Sequence, residues 1–136
     1  MKAYGVAGLE ETGLYVILFL TNDLMFTSRA GGAVAKLGAA LKIAATETLL
    51  LDNLAAAEPG SVVILDLNAP GVDPASVVPK LRAAGLPPRA ILAYGPHVHE
   101  QRLAAAVAAG CDEVFSRGQF SGQMDAILAK WLAAPR

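Results

Sequence analysis

The stretch "SVVILDLNAPGVD", Ser61 to Asp73, decides the fold. Val62, Val63, Ile64 and Leu65 form a continuous apolar run, which a strand needs when it is covered on both faces as in a parallel sheet. The run ends on a carboxylate, Asp66, and breaks at once into Asn68, Pro70 and Gly71, residues that favour turns. In an open α/β sheet, ligand and catalytic groups gather beyond the carboxyl ends of the strands. Asp66 sits at such an end. Asp73-Pro74 then supplies a helix N-cap with proline at the first helical position.

Working outward, strand and helix signals alternate from residue 14 to residue 133 of this 136-residue chain. "LYVILFL" (14–20) predicts the first strand, and it is too short to span a bilayer. "TNDLMFTSRAGGAVAKLG" (21–38) predicts a helix, weakened by roughly 1 kcal/mol at each of Gly31 and Gly32. "AALKIAA" (39–45) is a weaker strand, followed by a helix from the cap Thr46 to the stop at Pro59-Gly60. After Asp73 the third helix holds Pro79, which costs about 3 kcal/mol in a regular helix and predicts a kink or a late start. "LPPRAILAY" leads into a fourth strand ending at Tyr94. "GPHVHEQRLAAAVAAG" reads as a helix closed by Gly110, and "DEVFS" (112–116) as a fifth strand. Phe120, Met124, Ile127, Leu128, Trp131 and Leu132 form the inward stripe of a single last helix.

Five strands alternating with five helices imply one α/β domain, a five-stranded parallel sheet with right-handed crossovers and helices on both faces. Residues 1–13 read as an N-terminal extension and 14–133 as the domain. A hydrophobic fraction of 54% and a mean hydropathy of +0.46 owe much to alanine. The net charge of −1, with scattered Lys and Arg, gives no footprint for nucleic acid. The single cysteine, Cys111, rules out an internal disulfide. No export signal or membrane span is legible, so the expected location is the cytoplasm.

The strand ends offer Thr21, Asn22 and Asp23; Asp66, with Asn68 after it; Tyr94; and Ser116 with Arg117. On "VILDLNAPGVD", "AGCDEVFSRGQF" and the fivefold alternation, the sequence resembles a receiver domain of the response regulators of two-component signalling. The resemblance spans residues 14–133 and implies a doubly wound sheet in the flavodoxin-like order 2-1-3-4-5. It implies that Asp66 corresponds to the aspartate phosphorylated by a histidine kinase in a phosphorelay. It also implies two acids after the first strand to hold Mg²⁺, a hydroxyl after the fourth strand and a lysine after the fifth, the phosphoryl group being positioned and neutralised by them.

Here the acid pair falls on Thr21 and Asn22, or one residue later on Asn22 and Asp23. Tyr94 stands at the threonine or serine position, Arg117 at the lysine position, and Gly118 where a proline follows. The family's switch aromatic falls at Val114, beside Phe115. Arginine for lysine is not conservative at an anion site. Only Asp66 is intact.

The expectation is therefore a degenerate, non-enzymatic receiver-like signalling module working through protein contacts, with Arg117 paired to Asp66 and no cofactor. The expected partner is a histidine kinase or another signalling protein. The small residues of Leu103–Ala109 allow close approach of a second copy as a homodimer. Two other readings stay open. In one, Asp66 is phosphorylated, with Mg²⁺ on Asp23 and Asp66. In the other, the site binds a small anion or metabolite through Arg117, with Tyr94 as a lid.

The blandest reading makes Asp66 a strand-end cap for loop amides. His97, His99 and Glu100 have loose spacing for a metal and read as solvated residues of the first helical turn. Cys111, Met124 and Trp131 read as core, and Asp112-Glu113 as a solvated strand entry. Ser28 and Arg29 have no role legible in the sequence.

Overall fold

A computed structural model describes residues 15–133, so the expected extension at 1–13 lies outside the described residues. The strands are β1 (Val16–Leu20), β2 (Ala40–Ala44), β3 (Val62–Asp66), β4 (Ala90–Gly95) and β5 (Glu113–Ser116). The helices are α1 (Leu24–Lys36), α2 (Glu47–Ala56), α3 (Pro74–Arg82), α4 (Glu100–Ala109), α5 (Arg117–Gly122) and α6 (Met124–Ala133). All pairings are parallel, as the sequence pattern predicts, and the order is β2-β1-β3-β4-β5, as the resemblance implies.

The period-two alternation of strands sorts the core into two clusters. Ile17, Phe19, Val62, Ile64 and Leu92 face α1, α5 and α6 through Phe26, Ala30, Val34, Phe120 and Leu128. Leu18, Leu20, Val63, Leu65 and Ile91 face α2, α3 and α4 through Leu50, Leu54, Val77, Leu81 and Ala106. Every residue of β3 and β4 is buried, which explains their unbroken apolar runs. Each fully buried large aliphatic or aromatic side chain contributes about 1.5–3 kcal/mol.

Two local expectations change. The last helix is two, because α5 ends at Gly122 and Gln123 turns the chain before α6. The inward stripe continues across that break, since Phe120, Met124, Ile127 and Leu128 are all buried. α3 starts at Pro74 on the Asp73 cap and carries Pro79 inside it, so there is no late start. Neither Gly31 nor Gly32 serves a tight approach: a Cβ would touch only Leu41, at 4.0 Å, from Gly31. Gly95 does serve one. A Cβ there would meet the Leu67 Cβ at 3.2 Å, so any side chain after Tyr94 would press on the β3 exit and force Leu67 to give by a few tenths of an ångström.

No helix among the described residues is long and apolar enough to cross a membrane.

Candidate functional site

Asp66 closes β3 in register with Tyr94 of β4. By strand alternation Thr21, Asp66 and Tyr94 fall on the face of Phe19, Ile64 and Leu92, so three strand ends bring them together. Asp66 is 5% exposed, and both its oxygens are engaged. Thr21 Oγ1 donates to Oδ2 at 2.7 Å, and the Asn68 amide donates to Oδ1 at 2.9 Å. The second bond is an Asx-type turn, the reason Asn68 follows at this spacing. Thus Asp66 does cap a loop amide, and it also accepts a buried hydroxyl from another strand end.

Of the three residues after β1, Thr21 is buried and faces Asp66, and Asn22 is exposed. Asp23 is the N-cap of α1: its Oδ1 accepts the Phe26 amide at 3.0 Å. The Asp23 amide in turn donates to Thr21 Oγ1 at 3.1 Å. Thr21 therefore links the two acids.

Arg117 does not pair with Asp66. Its Nη2 donates to Asp23 Oδ2 at 2.5 Å, and its Cζ lies 4.5 Å from the centroid of the Phe26 ring. The physical reason is that Thr21 and Asn68 already satisfy Asp66. Asp23 has a free oxygen and an aromatic platform three residues on, which favours a planar guanidinium. Arg117 is itself fixed at the first position of α5 by a capping box: Ser116 Oγ accepts the Gln119 amide, and the Gln119 side chain accepts the Ser116 amide.

Tyr94 is not a lid. Its ring is 2% exposed and stacks on Phe120 at 4.9 Å with an interplanar angle of 4°, edge-on to Phe19. Its hydroxyl makes no hydrogen bond of good geometry, although the Thr21 hydroxyl is near enough to favour the phenolate, because Thr21 Oγ1 already donates to Asp66. Burial, and then the charge of Asp66, push the phenol well above its ordinary 10.0, while Thr21 and Arg117 act in the opposite sense. The charges of Asp66, Arg117 and Asp23 thus all act on this hydroxyl. Of Phe26 and Phe120, which build this aromatic floor, the sequence singles out only Phe120, as part of the inward stripe; the signal for Phe26 is its place three residues after the cap.

Mg²⁺ requires several oxygens in tight octahedral geometry. These residues do not fit it as they stand. Asp23 joins Asp66, but its Oδ2 is held by Arg117, so a divalent cation would have to sit beside a fixed guanidinium. Among the described residues no three His, Cys, Asp or Glu side chains converge as a metal site.

His97 and His99 precede α4 instead of forming its first turn. His99 takes the N-cap position without a side-chain cap bond, and its Nδ1 is buried without a partner. Cys111 is half-buried, with its thiol pushed up to about 11, chiefly by burial. Asp112-Glu113 is not a solvated entry. Asp112 Oδ2 accepts the Ile91 amide at 2.7 Å and Arg82 at 2.9 Å. Glu113 accepts the Trp131 indole N–H at 2.7 Å and pairs with Lys130, so Trp131 is only partly buried. Arg29 donates to the Ser121 hydroxyl and carbonyl, joining α1 to α5. From α4, Arg102 donates to the Leu67 carbonyl at 3.2 Å and tethers the loop that carries Asn68.

No family model matches the chain, and no curated protein matches it. Solved structures do. The receiver domain of a sensor histidine kinase from Pseudomonas aeruginosa, with magnesium in its active-site cleft, matches with a TM-score of 0.72 at 16% identity, covering 90% of this chain and 100% of that one. A chemotaxis response regulator of Vibrio cholerae matches with a TM-score of 0.70 at 15% identity over 88% and 99% of the two chains. A phosphorylated cyanobacterial phytochrome response regulator gives 0.73 at 12% identity over 91% and 98%. The fold is that of response-regulator receiver domains.

Proposed function

We propose that this chain is a degenerate receiver-like signalling module that acts through contacts with other proteins, without conventional Mg²⁺-dependent phosphorylation of Asp66. The observation that carries the reading is the commitment of Arg117 to Asp23. The acid that would share a metal with Asp66 is neutralised and capped, and Asp66 is satisfied by Thr21 and Asn68. Phosphoryl transfer to a carboxylate depends on positioning and on offsetting the charge that builds on the phosphoryl oxygens. Buried Tyr94 occupies the place where the resemblance sets a small hydroxyl.

Protein contact is supported by α4, which buries only Ala106 fully and leaves Val107 63% exposed among exposed alanines. The partner class is a histidine kinase or another signalling protein, and the same small-residue surface suits a second copy of the chain. The module itself catalyses no reaction in this reading, and its expected place is the cytoplasm.

Incubation with a small acyl phosphate and Mg²⁺, followed by intact-mass measurement, tests the reading. The expected result is no phosphoryl adduct on the wild type, as on an Asp66→Asn control. Efficient labelling that disappears in the control overturns it.

A further inference from the structure

We infer that the Arg117 guanidinium is the resident cation of an oxygen cluster formed by Thr21, Asp23, Asp66 and Tyr94, and that its presence, not a shortage of ligands, keeps a divalent metal out. The inference rests on the function proposed above and adds the cause of its metal independence.

The cluster is linked through Thr21. Its Oγ1 donates to the Asp66 carboxylate and accepts from the backbone amide of Asp23, so one hydroxyl ties both acid-bearing residues together. Tyr94 is the register neighbour of Asp66 on the next strand, and its buried hydroxyl is left without a hydrogen bond of good geometry. Two carboxylates, an aliphatic hydroxyl and a phenol are hard oxygen donors, the kind that Mg²⁺ and Mn²⁺ prefer.

The guanidinium meets this cluster from the β5 exit. It bonds Asp23 Oδ2 and rests on Phe26, so it is held on two sides. A guanidinium built into the chain, unlike a bound metal, cannot be removed by a chelator. It cross-links the β1–α1 and β5–α5 junctions, as a metal shared between strand ends would. Taking it away frees Asp23 Oδ2 and leaves the Asp23 and Asp66 carboxylates, linked through Thr21, without a counter-charge, a state that a divalent cation relieves.

Arg117→Met tests this, because it keeps an unbranched apolar stem for the Phe26 ring and removes the charge. The probe is Mn²⁺, followed by paramagnetic broadening of backbone amide signals, with Mg²⁺ calorimetry in parallel. In the wild type, broadening at 21–23 and 66–68 should not saturate. In Arg117→Met it should become saturable and confined to those residues, with affinity up roughly tenfold or more, the scale of removing one charge beside a partly buried site. Adding Asp23→Asn should abolish the gain. Arg117→Gln gives the same reading should the methionine variant not fold. A folded variant without saturable broadening overturns the inference, as does a wild type that binds equally well. Acyl-phosphate labelling of the wild type strikes the function instead, so the two failures are distinguishable.

Discussion

At the entry to β5, Asp112 takes the Ile91 amide and the Arg82 guanidinium on one oxygen; at its exit, Asp23 takes the Phe26 amide on one oxygen and Arg117 on the other. Both pairs join an aspartate to an arginine and to a backbone N–H. Their exposure is nearly the same, 39% and 30% for the side chains of Arg82 and Asp112 against 40% and 31% for Arg117 and Asp23. Burial therefore does not distinguish them. What differs is the amide each carboxylate serves. Ile91 is fully buried in β4, and the Asp112 amide also donates to the Ile91 carbonyl at 2.7 Å. Asp112 thus carries the β4–β5 ladder one step before the strand begins, its carboxylate standing in for a carbonyl. Asp23 caps a helix end that water can also reach, which leaves its second oxygen available to the site.

Asp112→Ala should therefore have the largest effect. It leaves the Ile91 amide without a partner in the sheet, at about 1–3 kcal/mol, and loses an exposed ion pair worth at most about 1 kcal/mol. A loss of roughly 2–3 kcal/mol in urea unfolding is expected on that basis. A loss as small as that of the Asp23 variants would erase the contrast between the two ends of β5.

Asp23→Ala comes next, at about 1 kcal/mol for the missing cap plus a fraction for the ion pair. Asp23→Asn keeps the cap and drops the charge, so its cost should stay below about 1 kcal/mol and shrink further in high salt. Since β5 separates the two pairs, losses in an Asp23→Ala/Asp112→Ala double variant should add. A strong departure from additivity would mean that the pairs act through a shared strand movement.

The same contrast shows why the fold was more legible in the sequence than the site. β3 and β4 are buried along their whole length, so each residue repeats the same apolar signal. Asp73-Pro74 and Gly110 mark helix ends through local backbone chemistry that spacing reveals, and Gly110 does adopt φ +104°. The partner of a charged side chain has no such redundancy. Arg117 and Asp23 are 94 residues apart, and the choice of Asp23 over Asp66 depends on which oxygens were already taken. Asp112-Glu113 misled for a related reason. Two adjacent acids look solvated in a sequence, but the backbone amide and indole N–H that they serve arrive from other elements.

Tyr94→Phe should have the smallest effect on stability and the opposite sign. Its hydroxyl is buried without a hydrogen bond of good geometry, so removing it should leave stability unchanged or raise it by up to about 1 kcal/mol at neutral pH. The alkaline limb sharpens the test. Folding holds this phenol protonated above its ordinary 10.0, whereas the unfolded chain releases the proton there. Above that pH the unfolded state binds fewer protons, so wild-type stability must fall as pH rises. The Cys111 thiol, raised from 9.0 to about 11, slopes in the same direction, so the comparison is between variant and wild type at each pH. The Tyr94→Phe advantage should widen from pH 10 upward in denaturant melts. Parallel curves would mean that the phenol ionises as freely in the folded chain as in the unfolded one, and that the aromatic floor beneath Asp66 is open to water.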